Sequence, residues 1–463
     1  MSFNGVVEAG TSKNDTLEGT NKRDSLRGRD GSDVLLGNGG ADRLDGGNGN
    51  DTLDGGNGDD LIIPGLSFGR GDVIVGSKGD DEIDLSDGGS AYRIDYSENS
   101  EGIDANLKAE SGTIDKGDDG EDRVTGLTAV SGAGGLTIIG SAHDDRLKAA
   151  LDAESFVRFT GGAGNDKFYG KGRNVQVEFV ENGDTGVSVE VTRYKDGFMT
   201  GKATDAFGDT DRFYVVNELR GTDADDQFQG AVGKDRFVTG EGNDIVDGGG
   251  GIDQVRYNHA GVESVDIDLR KETATIEMTG ATYTDTLVSV ENISGSNAGD
   301  DDIRGGDENN RFFAYAGEDL LRGGDGNDEM YGGDGKDTLK GGDNRDDLYG
   351  EGGKDELDGG KGRDRLYGGN SKDTLSGGAG DDTLEGGSGD DVFEFGKKDE
   401  GTDLIVDFED GDDLIEISSG ANEFSDLKIR SNDGDAKVMF GDVVIVLEDI
   451  KKSALTDDDF FFT

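Results

Sequence analysis

Aspartates recur in this chain at a fixed interval of nine residues. From Gly10 the sequence reads GTSKNDTLE, GTNKRDSLR, GRDGSDVLL, GNGGADRLD, GGNGNDTLD, GGNGDDLII. Position six is Asp in every unit (Asp15, Asp24, Asp33, Asp42, Asp51, Asp60), and position eight is aliphatic (Leu17, Leu26, Leu35, Leu44, Leu53, Ile62). A second block, from about Gly305 to Glu394, supplies Asp319, Asp328, Asp337, Asp346, Asp355, Asp364, Asp373, Asp382 and Asp391 in the same phase. A shorter block from Gly221 to Arg256 adds Asp226, Asp235, Asp244 and Asp253, and single units carry Asp145 and Asp166. Carboxylates at such spacing can accept hydrogen bonds, share protons or coordinate a hard cation. A flexible Gly/Asp linker has no reason to hold phase, nor to place one aliphatic residue two positions after each Asp.

The unit specifies how the carboxylates must be positioned. The x-U-x end forms a very short strand with one inward apolar side chain. The G-G-x-G-x-D stretch turns sharply, and its glycines permit positive φ and close backbone approach. Two units then complete one coil of eighteen residues, so units i and i+2 lie above one another at a strand spacing of about 4.8 Å. This predicts that Leu17, Leu35 and Leu53 stack in one sheet, and Leu26, Leu44 and Ile62 in the other. Each gap between coils receives backbone carbonyls and an Asp carboxylate. An all-oxygen cage of this kind suits Ca²⁺, which takes six to eight oxygens, better than Mg²⁺ with its tight octahedron. The metal ligands expected are the position-six aspartates named above. Because the core has one side chain per unit, folding and metal binding become one equilibrium.

Composition points the same way. The chain has 463 residues with 84 Gly, 1 Pro, no Trp and 31% apolar residues, near the disordered class. Lys and Arg number 46 against 103 Asp and Glu, a net charge of −57. Such a field repels nucleic acid and anionic lipid and opposes compaction unless cations neutralise it. Cysteine is absent and His143 and His259 are the two histidines, which excludes disulfides and Cys- or His-rich metal sites. No apolar run reaches membrane-spanning length, so membrane insertion is not expected. The N-terminus shows no basic region followed by an apolar run, so no cleavable signal peptide is expected there.

The unit G-G-x-G-x-D-x-U-x resembles the repeat of RTX proteins, the hemolysin-type calcium-binding family, for which it is the defining period. Gly323–Tyr331 and Gly377–Glu385 match it fully. Others are degenerate: Asn310 replaces the Asp in the unit from Gly305, and Thr11 and Thr20 replace the second glycine, marking weak sites or caps. The resemblance implies an all-β fold of parallel β-roll blocks separated by small β spacer modules. The divisions expected are an N-terminal roll over 1–91, spacers over 92–174 and 175–220, a short block over 221–256, a third spacer over 257–304, the main roll over 305–394 and a C-terminal cap over 395–463. The last segment, with Val443 to Leu447 and Leu455 through Phe462, resembles the export region of type I secretion substrates. That implies an ABC-type secretion machinery as partner and an extracellular or cell-surface location. Phe460 to Phe462 also reads simply as a closing strand.

Chemistry beyond metal binding is thinly represented. Gly65-Leu66-Ser67-Phe68-Gly69 matches G-x-S-x-G, but Pro64 precedes it and no helical pattern follows, contrary to what a nucleophile elbow requires. No H-E-x-x-H occurs, and the Asp-Asp pairs are better explained as calcium turns than as acid/base pairs. Tyr92, Tyr194, Tyr257 and Tyr283 could form a sugar-binding surface, though their alternation favours packing. The expected function is a noncatalytic, calcium-folded scaffold or interaction protein, such as a surface-layer or matrix component, whose partners are calcium and either itself or a cell-surface polysaccharide. The alternatives are a calcium-dependent adhesin or glycan-binding protein and, further off, a polysaccharide-modifying enzyme or a hydrolase.

Overall fold

The computed structural model describes residues 4–67, 71–89, 91–130, 135–150, 156–171, 174–180, 185–396, 401–432 and 434–463. These form short β-strands joined by tight turns, with five single-turn 3₁₀ segments and no α-helix among the described residues. The chain divides into two compact units, 1–244 with 249–251 and 245–248 with 252–463.

In the first unit the strands stack in parallel every second repeat. Thr16–Glu18, Val34–Leu36 and Thr52–Asp54 are in register through Leu17, Leu35 and Leu53. The alternate strands Ser25–Asp30, Arg43–Asn48 and Leu61–Leu66 align Leu26, Leu44 and Ile62. The stacks continue through Leu53 to Ile74 and Ile62 to Ile83. These side chains are essentially inaccessible to solvent, so one aliphatic residue per nine builds a narrow core between two sheets. That burial is too small to offset the entropy of ordering nine residues.

The second unit repeats the scheme over a longer run. Ile303, Leu321, Leu339, Leu357, Leu375 and Phe393 form one column. Phe312, Met330, Leu348, Leu366, Leu384 and Ile405 form the other. On the outer face Phe313, Tyr331, Tyr349 and Tyr367 stack ring on ring, with centroids 4.9, 4.7 and 4.8 Å apart. A side-chain ladder of this kind favours a flat sheet over the usual twist. At the C-terminus Val443–Leu447 pairs in parallel with Gly401–Ile405, and Phe460–Phe462 with Leu414–Ile417. Phe460–Phe462 is therefore a closing strand of the stack.

The non-repeat segments are threaded into the sheets. Asp104–Lys108, Ser111–Asp115 and Glu121–Thr125 form an antiparallel meander. Its last strand pairs in parallel with the preceding coil at Glu82–Asp84, and its first with the following coil at Arg146–Ala150. Ser188–Lys195, Phe198–Thr204 and Thr210–Val216 do the same between Lys167–Gly170 and Gln227–Gln229. Within the second unit Val262–Asp268, Thr273–Met278 and Ala281–Val288 do so between Ile245–Asp247 and Asp302–Arg304. Each meander thus interrupts the coil count without breaking the stack. Tyr92 and Tyr257 are buried within it, as packing residues.

Candidate metal centre

The position-six aspartates form ladders along the edges of the stack. In each step the backbone N–H of one Asp donates to Oδ1 of the Asp one coil further on. In the first unit the steps run Asp15 to Asp33 to Asp51, and Asp24 to Asp42 to Asp60, at 2.7 Å. Asp145 donates to Asp166 at 2.8 Å and Asp226 to Asp244 at 2.7 Å. In the second unit one ladder joins Asp319, Asp337, Asp355, Asp373 and Asp391. The other joins Asp328, Asp346, Asp364 and Asp382. Asp235 instead accepts the Ala231 N–H, and the Asp253 N–H donates to Glu291. All of these aspartates except the half-exposed Asp15 are buried.

The second carboxylate oxygen divides the aspartates into two groups. Oδ2 of Asp33, Asp42, Asp51, Asp60, Asp166, Asp319, Asp328, Asp337, Asp346, Asp355, Asp364, Asp373, Asp382 and Asp391 is buried without a hydrogen-bond partner. At Asp346, residue two of the repeat, Gly342, has φ +121°. Residue one, Gly341, has no room for a side chain: its Cβ position lies 2.3 Å from Asp346 Oδ2 and 2.5 Å from the Gly359 carbonyl oxygen. A carboxylate oxygen and the next coil's carbonyl thus face one small space. Two oxygens so placed repel unless a proton or a cation lies between them.

Where residue two is Ser or Thr the carboxylate is satisfied instead. Asp226 Oδ2 accepts the Thr222 N–H at 2.7 Å and its Oδ1 the Thr222 hydroxyl at 2.8 Å. Asp145 is held in the same way by Ser141, and Asp15 and Asp24 by Thr11 and Thr20. These are ladder ends. Asn310 also fits such an end: its Oδ1 accepts from Gly306 and its Nδ2 donates to the Glu291 carbonyl.

Burial governs the electrostatics. It pushes the carboxyls of Asp60, Asp72 and Asp346 up to about 8, and neighbouring carboxylates add to the effect. The same cause raises Asp319, Asp328, Asp364 and Asp373 to about 7, and Asp42, Asp51, Asp337 and Asp355 to about 6. Asp15, tied by Thr11 at an exposed end, is held below the ordinary range.

Further rungs lie beyond the blocks read from the sequence. Asp301 donates to Asp319 at the regular eighteen-residue step. The others escape the nine-residue count: Asp51 donates to Asp72, Asp60 to Asp81, Asp81 to Asp122, Asp166 to Asp211, Asp382 to Asp403 and Asp391 to Asp413. Each of the added residues keeps the D-x-U signature, as in Asp72-Val73-Ile74 and Asp122-Arg123-Val124, and a search for that triplet alone would have found them.

Among the described residues no three acidic or histidine side chains converge on one point. A cation here would take carbonyl oxygens from the turns together with the ladder carboxylates, a donor set that suits Ca²⁺. Ser67 is buried and its Oγ donates to the Ala91 carbonyl at 2.8 Å; Phe68 and Gly69 of the G-x-S-x-G match lie outside the described residues. No described helix is long and apolar enough to cross a membrane.

A stack of parallel coils edged by aspartate ladders defines a metal-binding β-roll repeat protein. The family model for the RTX calcium-binding nonapeptide repeat matches residues 9–44, 36–66, 157–172, 220–255, 296–330, 331–366 and 367–397. These segments are RTX-type calcium-binding nonapeptide repeats, which bind Ca²⁺. No curated protein sequence matches it. Among solved structures, the extracellular lipase LipA from Serratia marcescens is similar at 18% identity, over 74% of this chain and 44% of its own, with a TM-score of 0.18. The chain spans less than half of that lipase, and the superposition is too poor to bear on function.

Proposed function

We propose that the protein is a secreted, noncatalytic scaffold folded by extracellular calcium, of the surface-layer or matrix kind. The observation that carries this reading is the column of buried aspartate Oδ2 atoms without hydrogen-bond partners; those of Asp33, Asp42, Asp51, Asp328, Asp346, Asp355, Asp364 and Asp373 share the space at the first glycine with a carbonyl oxygen of the next coil. Where calcium is scarce, these carboxylates and the net charge of −57 keep the chain expanded. Where calcium is abundant, ions between the coils supply what one leucine per repeat cannot. The position-six aspartates with partnerless Oδ2 atoms would hold the ions, and the Ser/Thr-capped ones would terminate the ladders. Export by a type I system fits the composition of the last segment, and the route through such a channel requires an unfolded chain.

The test is light scattering behind a sizing column, in millimolar calcium and again after chelation. Large calcium-dependent assemblies support the scaffold. A compact calcium-bound monomer that only expands on chelation keeps the folding switch and removes the scaffold. In that case glycan-array binding decides whether the protein is an adhesin.

A further inference from the structure

Lys116 is the one lysine whose side chain is completely buried among the described residues. It precedes the turn between Ser111–Asp115 and Glu121–Thr125, where its N–H donates to the Gly120 carbonyl at 2.8 Å. Its Nζ donates to the Ser77 carbonyl and to Asp122 Oδ1, and lies 3.3 Å from Asp81 Oδ2. Asp81 and Asp122 are consecutive rungs: the Asp81 N–H donates to Asp122 Oδ1 at 3.1 Å. The ammonium group therefore sits between coils, among one turn carbonyl and two ladder carboxylates, the kind of donor set proposed above to hold calcium elsewhere in the stack.

The space beside it is also filled. At Gly28 and Gly341 the Cβ position is crowded by an Asp Oδ2 and a carbonyl oxygen, whereas at Gly76 it meets the ring of Tyr96 at 2.2 Å. The Tyr96 hydroxyl donates to Asp122 Oδ2 at 2.8 Å, and the Ser77 hydroxyl lies 3.4 Å from Asp81 Oδ2. Neither Asp81 nor Asp122 has an oxygen left without a partner, unlike Asp60 in the adjoining rung and Asp72 on the other ladder. The second meander supplies the contrast. Asp205 precedes its rung, Asp211, by the same six residues, and its N–H closes the same turn onto the Asp209 carbonyl. There the residue is an acid, buried, with Oδ2 lacking a partner.

We propose that Lys116 is a built-in cation that replaces calcium at the Asp81–Asp122 rung, making this coil and the first meander a calcium-independent latch in the stack. A single charge held covalently costs no ion-binding entropy and is not removed by chelators. Removing one partner of a buried, hydrogen-bonded charge cluster leaves uncompensated charge, so the latch should fail when the ammonium is removed. The rung then provides a folded edge on which neighbouring coils can stack when calcium arrives, because adding coils to an existing edge avoids the cost of starting one.

The experiment is hydrogen exchange followed by mass spectrometry on the full chain, with calcium and after chelation, for the wild type, Lys116→Met and Lys116→Asp. On chelation, wild-type amides in 79–83 and 121–125 should exchange at least tenfold more slowly than those in 34–36 and 52–54. Lys116→Met should lose that residual protection, and Lys116→Asp should restore protection only when calcium is present. Equal loss of protection at both places in the wild type would overturn the proposal, and so would residual protection unchanged in Lys116→Met. If Lys116→Met does not fold even in calcium, the wild-type comparison decides alone. The calcium-folding reading is judged separately, by whether amides of 338–375 lose protection on chelation.

Discussion

The backbone N–H of Asp346 donates to Oδ1 of Asp364, 2.9 Å away, while Asp346 Oδ1 receives the N–H of Asp328 at 2.8 Å. One carboxylate oxygen thus fixes the register between coils, and the other, Oδ2, faces the carbonyl of Gly359. Asp346→Asn keeps the register acceptor and removes the charge. The expected result is a calcium stoichiometry lower than wild type by calorimetry, with the β-sheet signal still reached at higher calcium. Asp346→Ala also strands the buried Asp328 N–H, which costs about 1–3 kcal/mol more. Unchanged stoichiometry in both variants would remove Asp346 from the calcium site.

Acidity should act in opposite directions with and without the metal. The folded-state carboxyls of Asp60, Asp72 and Asp346 are pushed up to about 8, above the ordinary value of about 3.8. Between those values the folded chain holds protons that the unfolded chain has released, so metal-free stability is greatest below about pH 4 and is lost as pH rises to 8. In calcium stripped by resin, β-structure by circular dichroism should be greater at pH 5 than at pH 8. In calcium titrations, the midpoint should be higher at pH 6 than at pH 8, because protons compete for the same oxygens. A calcium midpoint independent of pH would contradict the assignment of buried carboxylates as ligands.

Much of this was legible in the chain because the repeat is rigidly periodic. The nine-residue phase places Leu17 over Leu35 and Leu26 over Leu44, and the register is as expected. Rungs that break the count were hidden: Asp51 reaches Asp72 after 21 residues, and Asp81 reaches Asp122 after 41. Insertions between these rungs leave the vertical pairing in place, so linear spacing loses the rungs while D-x-U keeps them. Lys116 was hidden for a different reason. Nothing local to a lysine beside Gly117-Asp118-Asp119 tells that the meander folds it back between two coils.

Close packing at the first glycine makes a sharp steric prediction. In Gly341→Ala the new methyl would lie 2.3 Å from Asp346 Oδ2 and 2.5 Å from a backbone oxygen that cannot move alone. Overpacking of this kind costs about 1–3 kcal/mol and should displace the carboxylate. Gly352→Ala is the control, since its nearest atom is the Asp334 carboxylate at 3.1 Å and its φ is not positive. The first variant should lower calcium stoichiometry and the urea midpoint in calcium, and the second should leave both near wild type. Equal behaviour would mean that the first glycine serves the turn rather than the oxygen-lined space.

The capped aspartates should be separable from the metal-facing ones. Thr222 gives its N–H and hydroxyl to Asp226, and the Val187 N–H adds a third donor at 2.6 Å. With three donors on its two oxygens, Asp226 ties the second meander to the following coil and is better satisfied than the rungs whose Oδ2 lacks a partner. Thr222→Val retains the shape and the backbone donor and removes the hydroxyl. It should lower stability in saturating calcium by about 1–3 kcal/mol, read from the urea midpoint, because the hydroxyl's bond to a buried carboxylate is lost and the Ala224 N–H loses its acceptor. Calcium stoichiometry should stay at the wild-type value. A fall in stoichiometry would show that Asp226 binds metal despite its cap, and the division of the ladder into ends and rungs would have to be given up.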